Sequence, residues 1–132
     1  MTAGAGAGAG DGSGAEALDT FFAGYPEARS IAAAVAELLE GLGPHTVRVS
    51  RSQIAFRRRR SFAWLWRPGQ YVRSTVPVVL SLSLPQRDGS PRWKEVVRPS
   101  PHAWMHHLEL HTPEEVDGAV RDWLATAYDA AG

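Results

Sequence analysis

The sequence predicts an α+β domain: a two-layer sandwich in which a mainly antiparallel sheet of about four to five strands carries the N- and C-terminal helices on one face. Three observations predict it. Apolar residues recur at helical spacing only towards the two ends, at Leu18–Phe22, Ile31–Leu42 and Val116–Ala127. The middle alternates with period two, most cleanly in Val76, Val78, Leu80, Leu82 and Leu84. The alternating runs are joined by short turns, which suit antiparallel pairing, whereas a parallel pair needs a crossover of about a dozen residues or more.

Residues 1–14 alternate Gly and Ala and have too few side chains to bury, so they read as a disordered tail ahead of one domain spanning 15–132. From Ala15 the spacing of Leu18, Phe21 and Phe22 predicts a helix, interrupted by Gly24-Tyr25-Pro26. Pro26 suits the first turn of the next helix. That helix runs to about Leu42, with a stripe of Ile31, Val35, Leu38 and Leu42 thickened by Ala28, Ala32, Ala34 and Ala36. Gly41, Gly43 and Pro44 supply its stop.

Thr46–Arg51 predicts a strand with Val47 and Val49 on one face. A second strand begins near Gln53, has its clearest part at Phe62–Trp66, and contains Arg57-Arg58-Arg59-Arg60 where a hairpin would turn. Val76–Leu84 is the third, with Pro77 at an edge or ahead of the pairing. Ala103–His111 is the last: Trp104, His106, Leu108 and Leu110 share one face and Met105, His107, Glu109 and His111 the other. Trp93–Arg98 adds a short extended piece. Thr112-Pro113-Glu114-Glu115 reads as a capping box that opens the closing helix, which continues through Val116, Val120, Trp123, Leu124 and Ala127 to about Ala130.

Phe22 with Tyr25-Pro26, the run Ser50-Arg51-Ser52-Gln53-Ile54-Ala55-Phe56 leading to an aromatic strand, Trp104-Met105-His106-His107-Leu108-Glu109-Leu110, and Leu124-Ala125-Thr126-Ala127-Tyr128 together carry a resemblance. Over roughly residues 20–130 the chain resembles a bacterial domain family of unknown function, DUF 5655. Similar domains lie beside nuclease-like or uncharacterised domains in larger proteins, so the resemblance implies a nucleic-acid context by association. It implies no catalytic or binding residues.

Composition narrows the function classes. The chain has no cysteine, which excludes disulfides and thiolate metal sites and fits a reducing cytoplasm. No apolar run approaches the roughly 20 residues of a membrane helix, so a soluble cytoplasmic protein without a membrane partner is expected. The net charge is zero, but the charges are segregated. Residues 1–44 hold six acids and one base, residues 45–87 hold nine arginines and no acid, and the remainder holds eight acids and four bases. A basic middle between acidic ends can steer an anionic partner to the sheet.

Four consecutive arginines with Arg48, Arg51, Arg67 and Arg73 can form a groove for a polyanion, or simply a solvated turn. Trp64 and Trp66 beside them resemble a base-stacking platform. The sequence favours placing Phe62, Trp64 and Trp66 in the core instead, because an alanine-rich helix approaches the sheet closely and leaves space for bulky side chains. His107, Glu109 and His111 offer the ligand types of a two-histidine, one-carboxylate metal site. A strand separates its ends by roughly 13 Å, too far for one ion, so no metal set is assigned. His106, on the opposite face, is expected in the core bonded to backbone. No serine sits in a nucleophile elbow and no glycine-rich phosphate loop follows a strand. No catalytic residue and no cofactor is assigned.

The face of the sheet away from the helices then collects Arg48, Ser50, Ser81, Ser83, His107 and Glu109. The binding residues expected are Arg48, Arg51, Arg57, Arg59, Arg67, His107 and Glu109. The leading reading is a non-enzymatic binding module for an anionic or polar partner, nucleic acid or protein. The alternatives are a small enzyme or metal-dependent site around His107, Glu109 and Arg51, and a nucleic-acid-associated domain. A homodimer that covers this face is a further possibility.

Overall fold

The computed structural model describes residues 11–132, with side chains described from Gly14 onward. The expected tail falls mainly on residues 1–10, outside the described residues. Helix α1, Asp11–Phe21, begins ahead of the boundary expected at Ala15. Gly24, at φ 86°, turns the chain into α2, Pro26–Leu42, which has proline in its first turn. The buried stripe of α2 is Ala28, Ile31, Ala32, Val35 and Leu39. Leu38 and Leu42, expected on that stripe, are half-buried at its margin, because the i, i+4 series from Ile31 through Val35 arrives at Leu39. Gly43 ends the helix at φ 140°, and a Cβ there would sit 2.5 Å from the Tyr128 hydroxyl. That hydroxyl donates to the Pro44 carbonyl at 2.8 Å and ties the end of α2 to the last helix.

Six antiparallel strands follow: β1 Thr46–Val49, β2 Ile54–Arg57, β3 Ser61–Trp66, β4 Val78–Leu84, β5 Glu95–Ser100 and β6 Ala103–Leu110, in the spatial order β1-β2-β3-β4-β6-β5. The count exceeds the four to five expected for two reasons. The arginine run divides the expected second strand into β2 and β3. The extended piece expected at Trp93–Arg98 is a full edge strand, and its Pro99 falls within the break in register between Val97 and Ser100, where a missing N–H does least harm. The closing helix α3, Gly118–Ala130, also starts later than expected. Thr112-Pro113-Glu114-Glu115 forms a separate 3-10 turn over Pro113–Glu115, and Asp117 is the N-cap, accepting from the Val120 N–H at 3.2 Å. Asp117 wins because Arg92 clamps it, donating to both carboxylate oxygens at 3.0 Å and to the Glu115 carbonyl at 2.9 Å.

Among the described residues, the three helices lie on one face of the sheet: α1 against β1 and β2, α2 against β4, α3 against β3 and β4. Beneath them, Phe56, Ala63, Leu82 and His106 form one cross-strand row. The neighbouring row, Arg48, Ala55, Trp64, Ser81, His107 and Glu95, points the other way. The phase of β3 departs from the expected one. Arg57 pairs with Ser61 and Phe56 with Ala63, so Phe62 is an extra, unpaired residue in a bulge. The bulge lets Phe62 and Ala63, consecutive in the chain, both face the helices, and Phe62 meets Tyr128 edge-on at 5.6 Å. Alternation resumes from Ala63 and Leu65 inward. Trp64 and Trp66, expected in the core with Phe62, therefore stand half-buried on the face away from the helices. Among the described residues no helix is long and apolar enough to cross a membrane.

Candidate functional site: an aromatic cleft on the open sheet face

The turn between β1 and β2 is built by a serine. The Ser50 hydroxyl accepts from the backbone N–H groups of Ser52 at 3.3 Å and Gln53 at 3.2 Å, while the Ser50 N–H donates to the Gln53 carbonyl at 2.9 Å. This fixes Ser52 and Gln53 at the mouth of a cleft of about 350 Å³. Trp64 and Trp66, two positions apart on β3, supply the cleft's aromatic surface. Tyr71 flanks it after the short 3-10 turn Pro68–Gln70, and Met105 and His107 from β6 close the far side.

The floor is polar. Ser81 is only 3 % exposed, and its Oγ accepts from the Trp66 indole N–H at 2.9 Å. The same Oγ lies 2.7 Å from His107 Nδ1. An indole N–H can only donate, so every member of the chain is satisfied when the Ser81 proton goes to Nδ1 and His107 carries its own proton on Nε2. Burial holds the His107 pKa below the ordinary histidine value, opposed by the Glu95 carboxylate across the β5–β6 pair. The ring is thus neutral near pH 7. The Trp66 ring meets His107 edge-on at 6.4 Å and Tyr71 at 6.2 Å, which sets its tilt over Ser81. The Trp64 ring makes no aromatic pair among the described residues and keeps a face available.

The expected site residues divide into groups. Arg48 shares the cross-strand row of Trp64, Ser81 and His107, and Arg51 sits in the turn beside Ser52. Both are exposed, and neither makes an ion pair among the described residues. Glu109 is half-buried on the same face and pairs with Val79, the partner of Trp66. Of these, Arg51 adjoins the lining residue Ser52, while Arg48 and Glu109 share the open face with His107 outside the lining. The others are employed elsewhere. Arg57 lies at the far end of β2 and reaches the Arg59 carbonyl at 3.5 Å. The exposed Arg59 donates its backbone N–H to the Ala131 carbonyl at 3.0 Å. Arg67 lays its guanidinium over the Tyr25 ring at 3.5 Å. Arg58 and Arg60, the rest of the run, reach the end of α3: Arg58 donates to the Tyr128 carbonyl at 2.9 Å and covers its ring at 4.0 Å, and Arg60 donates to the Ala130 carbonyl. A helix C-terminus leaves carbonyls unpaired and carries partial negative charge, so it is a natural anchor for these cations.

His106 lies in the core as expected. It is fully buried, with Nδ1 against the Trp104 carbonyl at 3.0 Å and Nε2 accepting the Asp88 N–H at 2.9 Å. His111 turns away to Glu115, 3.9 Å off, and among the described residues no three His, Asp or Glu side chains converge on one point. Sequence reasoning weighed Trp64 and Trp66 as a stacking platform but favoured the core for them, and it missed Gln53 and Tyr71. A signal for the two tryptophans was present: Ser81 on the outer face of β4 is small and polar, and its neighbours on β3 must be bulky to cover it.

Chemically, the cleft combines flat apolar surface, a neutral imidazole and an uncommitted side-chain amide beside two free cations. It is suited to holding a ligand. Ser81 is not presented for attack, because Trp66 covers its oxygen and takes up one of its lone pairs.

Neither a curated protein nor a solved structure gives a significant match to this chain. A family model does, over residues 18–131, a span that takes in every residue of the cleft and both of its free arginines. The chain belongs to the family described as Domain of unknown function (DUF5655).

Proposed function

We propose that this domain is a non-enzymatic binding module that takes an anionic or polar partner at the cleft between Trp64, Trp66 and His107. The observation that carries the reading is the pair of half-buried tryptophans on the face without helices, at a hollow of about 350 Å³. Pockets for small ligands run from about 300 to 1,000 Å³ and combine apolar walls with a few fixed polar groups. Arg48 and Arg51 add positive charge on one margin. The reading assigns the domain to a reducing cytoplasm, supported by the absence of cysteine.

The test is a fragment screen by NMR on labelled protein, using small planar acids and amides. The expected hits shift the indole N–H signals of Trp64 and Trp66 and the ring signals of His107, saturably, and disappear in Trp64→Ala. Hits that survive Trp64→Ala, or shifts confined to the helical face, would overturn the reading. A catalytic site at the same place has one observation in its favour, the 2.7 Å contact of Ser81 with His107. That version requires Ser81→Ala to abolish turnover of an activated ester while leaving fragment binding intact.

A further inference from the structure

Resting on that reading of the cleft, we infer that its ligand is a nucleotide unit, an unpaired base with its phosphate, held as a free nucleotide or as one residue of a single strand. Three features of the cleft carry this, and each addresses a different part of such a ligand.

The base needs a flat apolar partner. Trp64 offers one, since its ring is unpaired with other aromatics among the described residues and it lines the hollow. Trp66, on the same face and about 6.7 Å further along the strand, is held in place by Ser81, His107 and Tyr71. One unpaired and one anchored indole make a stacking platform, and stacking tolerates any base because every base has a π-face. The volume, near 350 Å³, admits a single base with part of its sugar and excludes a base pair. A duplex would have to give up a base to occupy it.

The base edge needs paired donors and acceptors. Gln53 lines the cleft, and its backbone is engaged by Ser50 while its side-chain amide makes no hydrogen bond among the described residues. An amide presents one acceptor and two donors side by side, the pattern that matches the edge of a nucleobase. His107 adds a single donor at Nε2 once Nδ1 is committed to Ser81.

The phosphate needs cations on one side only. Arg48 stands two strands from Trp64 in the same cross-strand row, with the small Ala55 between them, so its long side chain can pass over β2 towards the ring. Arg51 follows the serine whose hydroxyl builds the turn. The opposite margin carries Glu95 and Glu109. This polarity orients the ligand: phosphate towards β1 and β2, base towards β4 and β6. The same acidic margin would welcome a cation, so an aromatic cage for a quaternary ammonium is the competing occupant. It is disfavoured because the exposed Arg48 and Arg51, which make no ion pair among the described residues, lie on the β1–β2 side of the cleft.

The experiment is a titration of the full chain, read by tryptophan fluorescence and calorimetry. The probes are adenosine, adenosine monophosphate, a short single-stranded oligonucleotide, the matching duplex, inorganic phosphate and tetramethylammonium. Saturable binding of the monophosphate, or of the single strand, above the duplex is the expected result. Equal affinity for monophosphate and strand identifies a free-nucleotide site, and a strong preference for the strand identifies a single-strand binder; both support the inference. Trp64→Ala weakens binding roughly tenfold or more, while Trp64→Phe, which keeps a stacking ring, restores most of it. For the strand, two phosphate-facing arginines give a log–log salt slope of about −1.4, roughly a sevenfold loss for a fourfold rise in salt. Arg48→Ala with Arg51→Ala flattens that slope and leaves adenosine binding unchanged. Binding of tetramethylammonium without any nucleotide, or duplex binding equal to single strand, overturns the inference. If nucleotides fail while planar fragments still bind at Trp64, only the nucleotide assignment falls. If neither binds, the binding reading falls with it.

Discussion

His106 and His107 are consecutive, yet they belong to different chemical worlds. His106 faces the helices, is fully buried, and has both ring nitrogens saturated by backbone, from Trp104 and Asp88. Trp93 meets it edge-on at 4.7 Å and continues to Trp123 of α3, tilted at 4.3 Å, so the histidine is part of the joint between sheet and helix. His107 faces the cleft, half-buried, with one nitrogen held by Ser81 and the other available. The difference teaches that the two faces of this sheet are organised by different rules. One is closed by packing and satisfied by its own backbone, and the other keeps uncommitted groups at an opening.

Replacing each histidine in turn is the strongest way to break this contrast. His106→Ala leaves a cavity and takes the imidazole away from the part-buried Trp104 carbonyl and Asp88 N–H, which should cost about 2–4 kcal/mol in urea unfolding. His107→Ala should cost about 1 kcal/mol or less, because water entering the cleft replaces the bond to Ser81. Equal losses would mean that the cleft face is as tightly organised as the core.

The arginines repeat the contrast on a smaller scale. Arg58 donates to the Tyr128 carbonyl and covers the Tyr128 ring, joining the β2–β3 turn to the end of α3, whereas Arg48 touches no charged partner among the described residues. Arg58→Ala should lower stability by about 1–2 kcal/mol through the lost helix-end hydrogen bond and cation–π contact. Arg48→Ala should change it by less than about 0.5 kcal/mol. Thermal melts of the two variants at equal salt give the comparison directly.

Much of this arrangement was legible in the sequence, and the exceptions have identifiable causes. The faces of β4 and β6 follow from strict alternation, so Ser81, His107 and Glu109 share the open face as read, and His106 shares the other. The tryptophans did not, because alternation assumes an unbroken ladder and the bulge at Phe62 shifts the phase by one residue. Nothing in Arg57–Phe62 announces that extra residue; it arises where Phe62 finds Tyr128, nearly seventy positions later in the chain. The start of α3 was misplaced for a similar reason. Thr112 and Asp117 are both competent caps locally, and the choice is made by Arg92, which lies on a distant loop. The six-stranded count depends on β5, whose pairing partner β6 decides its register. Local periodicity carries the layers; side chains that meet across the fold decide which face a residue joins.

The smallest effect, and the finest probe of the contrast, is the response to acid. Burial depresses both histidines, His106 against the opposing pull of the Trp104 carbonyl and the Asp88 carboxylate, and His107 against Glu95. A histidine whose folded pKa lies below the ordinary value of 6.5 is protonated first in the unfolded chain. Stability is therefore complete above that value and falls as the pH drops from it towards the folded pKa. Two carboxylates with lowered pKa values add a separate loss only below the ordinary 3.8. Asp88 is lowered by the Trp93 hydrogen bond, and at Asp117 burial pulls upward but the hydrogen bonds from Arg92 and the Val120 N–H together outweigh it. The window between belongs to the histidines, and urea midpoints should decline through it. His107→Gln should keep part of the decline, because His106 still has to lose the Asp88 N–H to gain a proton. The indole resonance of Trp66 should follow pH in the wild type and stop doing so in His107→Gln, since a proton placed on Nδ1 displaces the one Ser81 donates and disturbs the oxygen that holds the indole. An indole signal that titrates equally in both proteins would show that the Ser81–His107 contact does not govern the tilt of the cleft's fixed ring.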